Sequence, residues 1–176
     1  MRFIVAVLLL AGLSPAQTQP RKSLTLKDVL LAQLHTTHDK EDWYVPIKIA
    51  VEGLTPEQAK WTDGHGNHSA GQLVNHLAFW DGRALEQFKG QKSGAYDGNN
   101  DQTFNSFDVK TWAATVSKLD GIMKAWEKAV EEADDAKIGA SASLIAHVGA
   151  HNAYHPGQIL YVRKLQGVWD PAKGVK

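Results

Sequence analysis

The chain has 176 residues, with 19 basic and 19 acidic side chains, a formal net charge of zero and no cysteine. That balance offers no basic stripe for a nucleic acid. The missing cysteine excludes a disulfide framework, a thiolate metal site, a thiol nucleophile and the acylated cysteine of a lipoprotein.

The first residues, MRFIVAVLLLAGLSPA, read as an export signal: Arg2 gives a short positive start, Phe3 to Leu13 an apolar run, and Ser14-Pro15-Ala16 a small-residue cleavage site. The run is too short to span a bilayer, which takes about twenty residues. Residues 1–16 are therefore expected to be removed, leaving a secreted or periplasmic protein with no membrane segment, 18 basic side chains against 19 acidic ones, and a flexible lead of residues 17–23. Residues 24–170 are long enough for one domain with a real core, and 171–176 form a tail.

Four segments then carry helical periodicity. The first starts at Thr25, a good N-cap, and places Leu26, Val29, Leu30 and Leu34 on one face. Its stripe resumes at Ile47, Ala50, Val51 and Leu54, with a kink or short break expected near Trp43 to Pro46. The second opens on Ser69 and Gln72, spaced as a capping box, and continues through Leu73, Leu77, Trp80 and Ala84. The third runs from Asn105 or Ser106 to Val130, through Trp112, Val116, Leu119, Met123 and Trp126. The acidic EEADDAK reads as a solvated link. The fourth starts near Ser141 and carries Leu144, Val148, His151, His155, Ile159, Val162 and Leu165. No segment alternates as a half-buried strand does, so the expected class is all-α, a four-helix bundle.

Histidines interrupt the apolar stripes. His151 and His155 are four apart, so their Cβ atoms lie about 5–6 Å from each other on one face. Two such imidazoles can share one ion at about 2.0–2.1 Å. His76 lies between Leu73 and Trp80 on the inward face of the second helix. Two donors from one helix and one from a facing helix form a three-histidine set with a coordination position left for water or a small-molecule substrate, as in catalytic sites. Burying several unpaired imidazoles without an ion is costly. His147 falls one turn below His151, at the edge of the stripe, with a supporting or packing role. His35, His38, His65 and His68 are expected in solvated positions. Asp81 and Glu86 are candidate bases without a spacing that places either beside His76. Asn75 and Asn152 flank the donors. Gln158 is one turn past Tyr154 and near His155, as a hydrogen-bond partner or a packing residue. Tyr154 and the tryptophans 80, 112 and 126 either line a pocket or belong to the core.

The strings HNAYHPGQI, SAGQLVNHLAFW and GLTPEQAKW together resemble the DinB/YfiT-like superfamily, over about Leu24 to Trp169. The resemblance implies an up-down-down-up bundle, often a homodimer, with a divalent ion, zinc or nickel, held by His76, His151 and His155. Pro156 departs from the commonest pattern. It removes the N–H that would bond to the Asn152 carbonyl, and with Gly157 it is expected to bend the fourth helix just past the third donor. An ion on three neutral imidazoles keeps its full charge and acidifies water, which favours a metal-dependent hydrolase. The alternatives are a thiol S-transferase, disfavoured by export because low-molecular-weight thiols are chiefly cytosolic, a non-catalytic bundle binding a metal or small ligand, and a bundle without metal.

Overall fold

The computed structural model describes residues 23–174, so residues 1–16, expected to be an export signal, and nearly all of residues 17–23 lie outside the described residues. Within them the chain is helical, with seven α-helices: α1 (Leu26–His38), α2 (Ile47–Val51), α3 (Pro56–Lys60), α4 (Ala70–Phe88), α5 (Asp101–Asn105), α6 (Trp112–Glu132) and α7 (Asp135–Leu165). Two 3-10 turns, Val109–Thr111 and Pro171–Lys173, complete the elements. Among the described residues no helix is long and apolar enough to cross a membrane.

The long helices begin where their caps dictate. Thr25 Oγ1 accepts the Asp28 N–H while the Asp28 carboxylate accepts that of Thr25, and Ser69 and Gln72 make the same reciprocal pair at α4. Each pair satisfies two backbone donors that a helix start leaves open. The link before α7 is much shorter than its acidity suggests. Asp134 caps the Lys137 N–H and α7 starts at Asp135, well before Ser141, because carboxylates at a helix N-terminus stabilise it. Conversely, α6 starts later than expected, since Asp101–Asn105 and Val109–Thr111 form separate turns.

Four helices, α1, α4, α6 and α7, form the bundle; α1 packs on α6 and α7, and α4 packs on the same two. Contacts along the helices fix their directions. Lys27 reaches the carbonyls at the end of α6 while His38 meets Asp120, so α1 and α6 are antiparallel. Gly82 faces Ile122 and Phe88 meets Trp126, so α4 and α6 are parallel. His76 meets His155 and Asp81 meets His151, so α7 opposes α4. The order is up-down-down-up.

The core has two parts. One, around Leu30, Trp126, Val130 and Ile145, closes the end where α1 begins. The other gathers α2 and α3 with the starts of α4 and α6 around Val74, Trp112, Leu119 and Ile159. The buried tryptophans of α6 satisfy their indole N–H groups, Trp112 on the Leu54 carbonyl and Trp126 on the Asp81 carbonyl, each at 2.9 Å. They are core residues. Pro156 does not interrupt α7, which runs on to Leu165. The α4 and α2 neighbours that pack on α7 hold it there, with the Arg163 guanidinium on the Ala50 carbonyl at 2.7 Å.

One expectation fails clearly. His38 is not solvated: it is 1% exposed, with Nδ1 2.7 Å from Glu127 and Nε2 3.0 Å from Asp120. Its position at the end of α1 turns it toward α6, where carboxylates replace the water it gives up.

Candidate metal centre

The centre lies between α4 and α7, under α5. His151 Nε2 stands 3.2 Å from His76 Nε2 and 3.0 Å from His155 Nε2. The ligand atoms of all three lie within 4.8 Å of one another. Nitrogens bound to one ion at about 2.0–2.1 Å are spaced at roughly 3 Å, so the set has the span of a single cation site.

Groups behind the rings decide which nitrogens face inward. His76 Nδ1 meets Thr103 Oγ1 at 2.6 Å, and that hydroxyl already donates to the Asn100 carbonyl at 2.7 Å, so it accepts from the ring. His155 Nδ1 donates to Gln158 Oε1 at 2.6 Å, and the Gln158 amide donates to the Tyr154 hydroxyl at 3.1 Å. His151 Nδ1 faces Asp81 Oδ1 at 3.5 Å. With the ring proton held on Nδ1, each neutral imidazole presents a lone pair on Nε2. Three lone pairs then converge with no hydrogen between them, an arrangement that a cation stabilises. Burial pushes His76 down to about 3 and His155 to about 4, each helped by neighbouring histidines, which keeps the rings neutral.

The aromatic setting is as specific. Phe104 from α5 stacks on His76 at 3.9 Å between centroids and on His68 at 3.8 Å. The Asn75 amide donates to the Thr103 carbonyl and Ser106 Oγ, and so fixes α5 over the site. At the N-terminal end of α4, Gly71 leaves room for the Phe107 ring, which a Cβ would meet at 2.3 Å.

Other sequence candidates divide. Gln158 is the partner of His155. Tyr154 is 63% exposed and holds Gln158 from outside. Asn152 is buried beside Asp81, whose carboxyl burial pushes up while hydrogen bonds from His151 and Asn152 oppose the shift. Asp81 therefore sits behind His151, out of reach of anything bound in front of it. His147 is exposed, 3.4 Å from Ser143 Oγ, and outside the donor set. Trp80 is half-buried and donates to Asn100 at 3.0 Å. Thr103 and Phe104 were missed in the sequence. They lie in the short helix α5, more than twenty residues past His76 and within a polar stretch with no periodicity to flag them.

A cleft of about 560 Å³ opens beside the centre between residues 61–68 and α7, and Tyr154, Gln158 and His68 line it. No curated protein and no solved structure matches the chain. A family model does: that of the DinB superfamily aligns with residues 47–159, well over half the chain and a span that includes all three converging histidines. The chain belongs to the DinB superfamily.

Proposed function

We propose that this protein binds one divalent cation, zinc or nickel, through Nε2 of His76, His151 and His155, and uses it to hydrolyse a small-molecule substrate. The observation that carries the reading is the convergence of the three Nε2 atoms, with Thr103 and Gln158 each 2.6 Å behind Nδ1 of His76 and His155 and the Asp81 carboxyl 3.5 Å behind Nδ1 of His151. Such a cation supplies Lewis acidity toward water and toward a carbonyl or ester oxygen.

The chain's own residues account for the rest. Thr103, Gln158 and Asp81 hold the three ring protons on the outer nitrogens, so the inner ones stay available. Phe104 excludes water from one face of His76. Tyr154 and Gln158 connect the donor set to the cleft, where a substrate can approach without crossing the core. No carboxylate completes a fourth protein position in the converging set, which favours an open site over a closed structural one. The leader-like residues 1–16 support export, and the lack of cytosolic thiols outside the cell favours hydrolysis over thiol transfer.

The test is metal content by mass spectrometry on protein starting at Gln17, beside His76→Ala and His151→Ala, followed by ester and amide substrates on the loaded protein. About one zinc or nickel per chain, lost in both variants, with turnover that needs the metal, is the expected result. No metal after reconstitution overturns the whole reading. Metal without turnover of either substrate class overturns hydrolysis and leaves a metal-binding bundle.

A further inference from the structure

Much of the wall of the cleft beside the donor set is apolar or aromatic, alongside the polar Thr62, Asn67, His68 and Gln158. Trp61, Leu73, Tyr154, Tyr161 and Leu165 supply aromatic and aliphatic surface. Three of these are unusually open for their type: Tyr154 is 63% exposed, Tyr161 62% and Leu165 48%. Large side chains that face solvent around one concavity mark a binding surface.

Its charge is one-sided. No lysine or arginine lines the cleft, and the one carboxylate that does is Asp63. Asp63 accepts from the His65 backbone N–H at 3.0 Å and from the Asn67 amide at 2.6 Å, and those donors hold its carboxyl below the usual range. Both are neutral groups, and no lysine or arginine pairs with Asp63 among the described residues. Each carboxylate oxygen retains a lone pair for a further donor or a nearby cation. Exposed tyrosine and tryptophan faces attract cations through their ring quadrupoles, so walls and carboxylate favour the same ligand.

We propose that this cleft binds an aromatic cation: a planar ring against Trp61 and Tyr161, with its positive group toward Asp63. The ligand's role as substrate rests on the metal-centre reading above, whereas its binding does not. Gln158 and Tyr154 belong to both the cleft and the support of His155, so a ligand seated here lies beside the donor set.

The probes are (2-phenylethyl)trimethylammonium, 2-phenylethanol and tetraethylammonium, titrated into the purified metal-loaded protein by calorimetry at pH 8. The quaternary ammonium neither deprotonates nor ligates a metal. The aromatic cation is expected to bind at least about five-fold tighter than either partial probe, as the sum of a ring contact and a cation contact. Asp63→Asn is expected to reduce its affinity to near that of 2-phenylethanol, and Tyr161→Ala to weaken both aromatic probes. Metal content of both variants should equal that of the parent. Equal affinity for the aromatic cation and 2-phenylethanol, or an Asp63→Asn variant with unchanged preference, overturns the proposal. Because metal content is read separately, a loaded protein that ignores the probes defeats this inference alone. A protein that takes the cation but no metal defeats only the reading of the centre.

Discussion

Each ring of the donor set has its proton fixed from behind, and this makes the supporting residues as testable as the ligands. Thr103→Val keeps the shape and removes the acceptor at His76 Nδ1; Gln158→Leu does the same at His155. Either change is expected to weaken metal affinity by about 10–100-fold, measured by competition with a chromophoric chelator, because such partners orient the ring and raise its basicity. An unchanged affinity would show that the ring proton is placed otherwise. The same burial sets a pH dependence for the metal-free protein. His76 and His155 fall from the ordinary 6.5 to about 3 and about 4 in the fold, so below pH 6.5 the unfolded chain binds protons that the folded chain refuses. Their contribution is present above pH 6.5 and is lost as pH falls through about 4 for His155 and about 3 for His76. The melting temperature of the metal-free protein should therefore drop across that window, and less steeply in His76→Leu. The histidines themselves were legible because imidazoles stand out on an apolar stripe. Thr103 was not, since its contact depends on how the short helix α5 folds back over α4. His38 misled for a related reason: nothing beside it in the chain announces the carboxylates that α6 brings to it.

At the scale of the elements, short-range chemistry was the readable part. The Ser69–Gln72 spacing gives the start of α4, and the three- and four-residue recurrence of apolar residues gives most of the buried faces, although Leu26, Val29 and Leu165 of the expected stripes stay exposed. Boundaries set by competing signals were harder. The acidic run between α6 and α7 has the composition of a link, yet Asp134 and Asp135 are good starting residues, and the two helices leave only Ala133 and Asp134 between them. The segment that carries Thr103 and Phe104 is held through Asn75 and through the close seat of Phe107 on Gly71. Gly71→Ala puts a methyl 2.3 Å from that ring. The expected cost is about 1–3 kcal/mol, as for other overpacked sites, read by chemical denaturation. Full stability in this variant would mean that Phe107 moves away without loss.

For the molecule as a whole, an ion bound at the centre joins α4 to α7 across a long stretch of chain, and the fold should register it. Saturating metal at about 100 times its dissociation constant adds about 2.7 kcal/mol to stability. A chelator should accordingly lower the melting temperature, zinc or nickel should restore it, and His76→Ala should respond to neither. The up-down-down-up order follows from contacts between residues far apart in sequence, such as Lys27 with the end of α6, so periodicity alone does not supply it. The unbroken course of α7 past Pro156 has a thermodynamic consequence. One continuous helix carries His151 and His155, then Gln158, then the Tyr161 wall of the cleft. A change in that helix which alters one site is transmitted to the other, and equilibrium linkage is reciprocal. By whatever factor an occupant of the cleft tightens or loosens the hold on the cation, the cation must alter the hold on that occupant by the same factor.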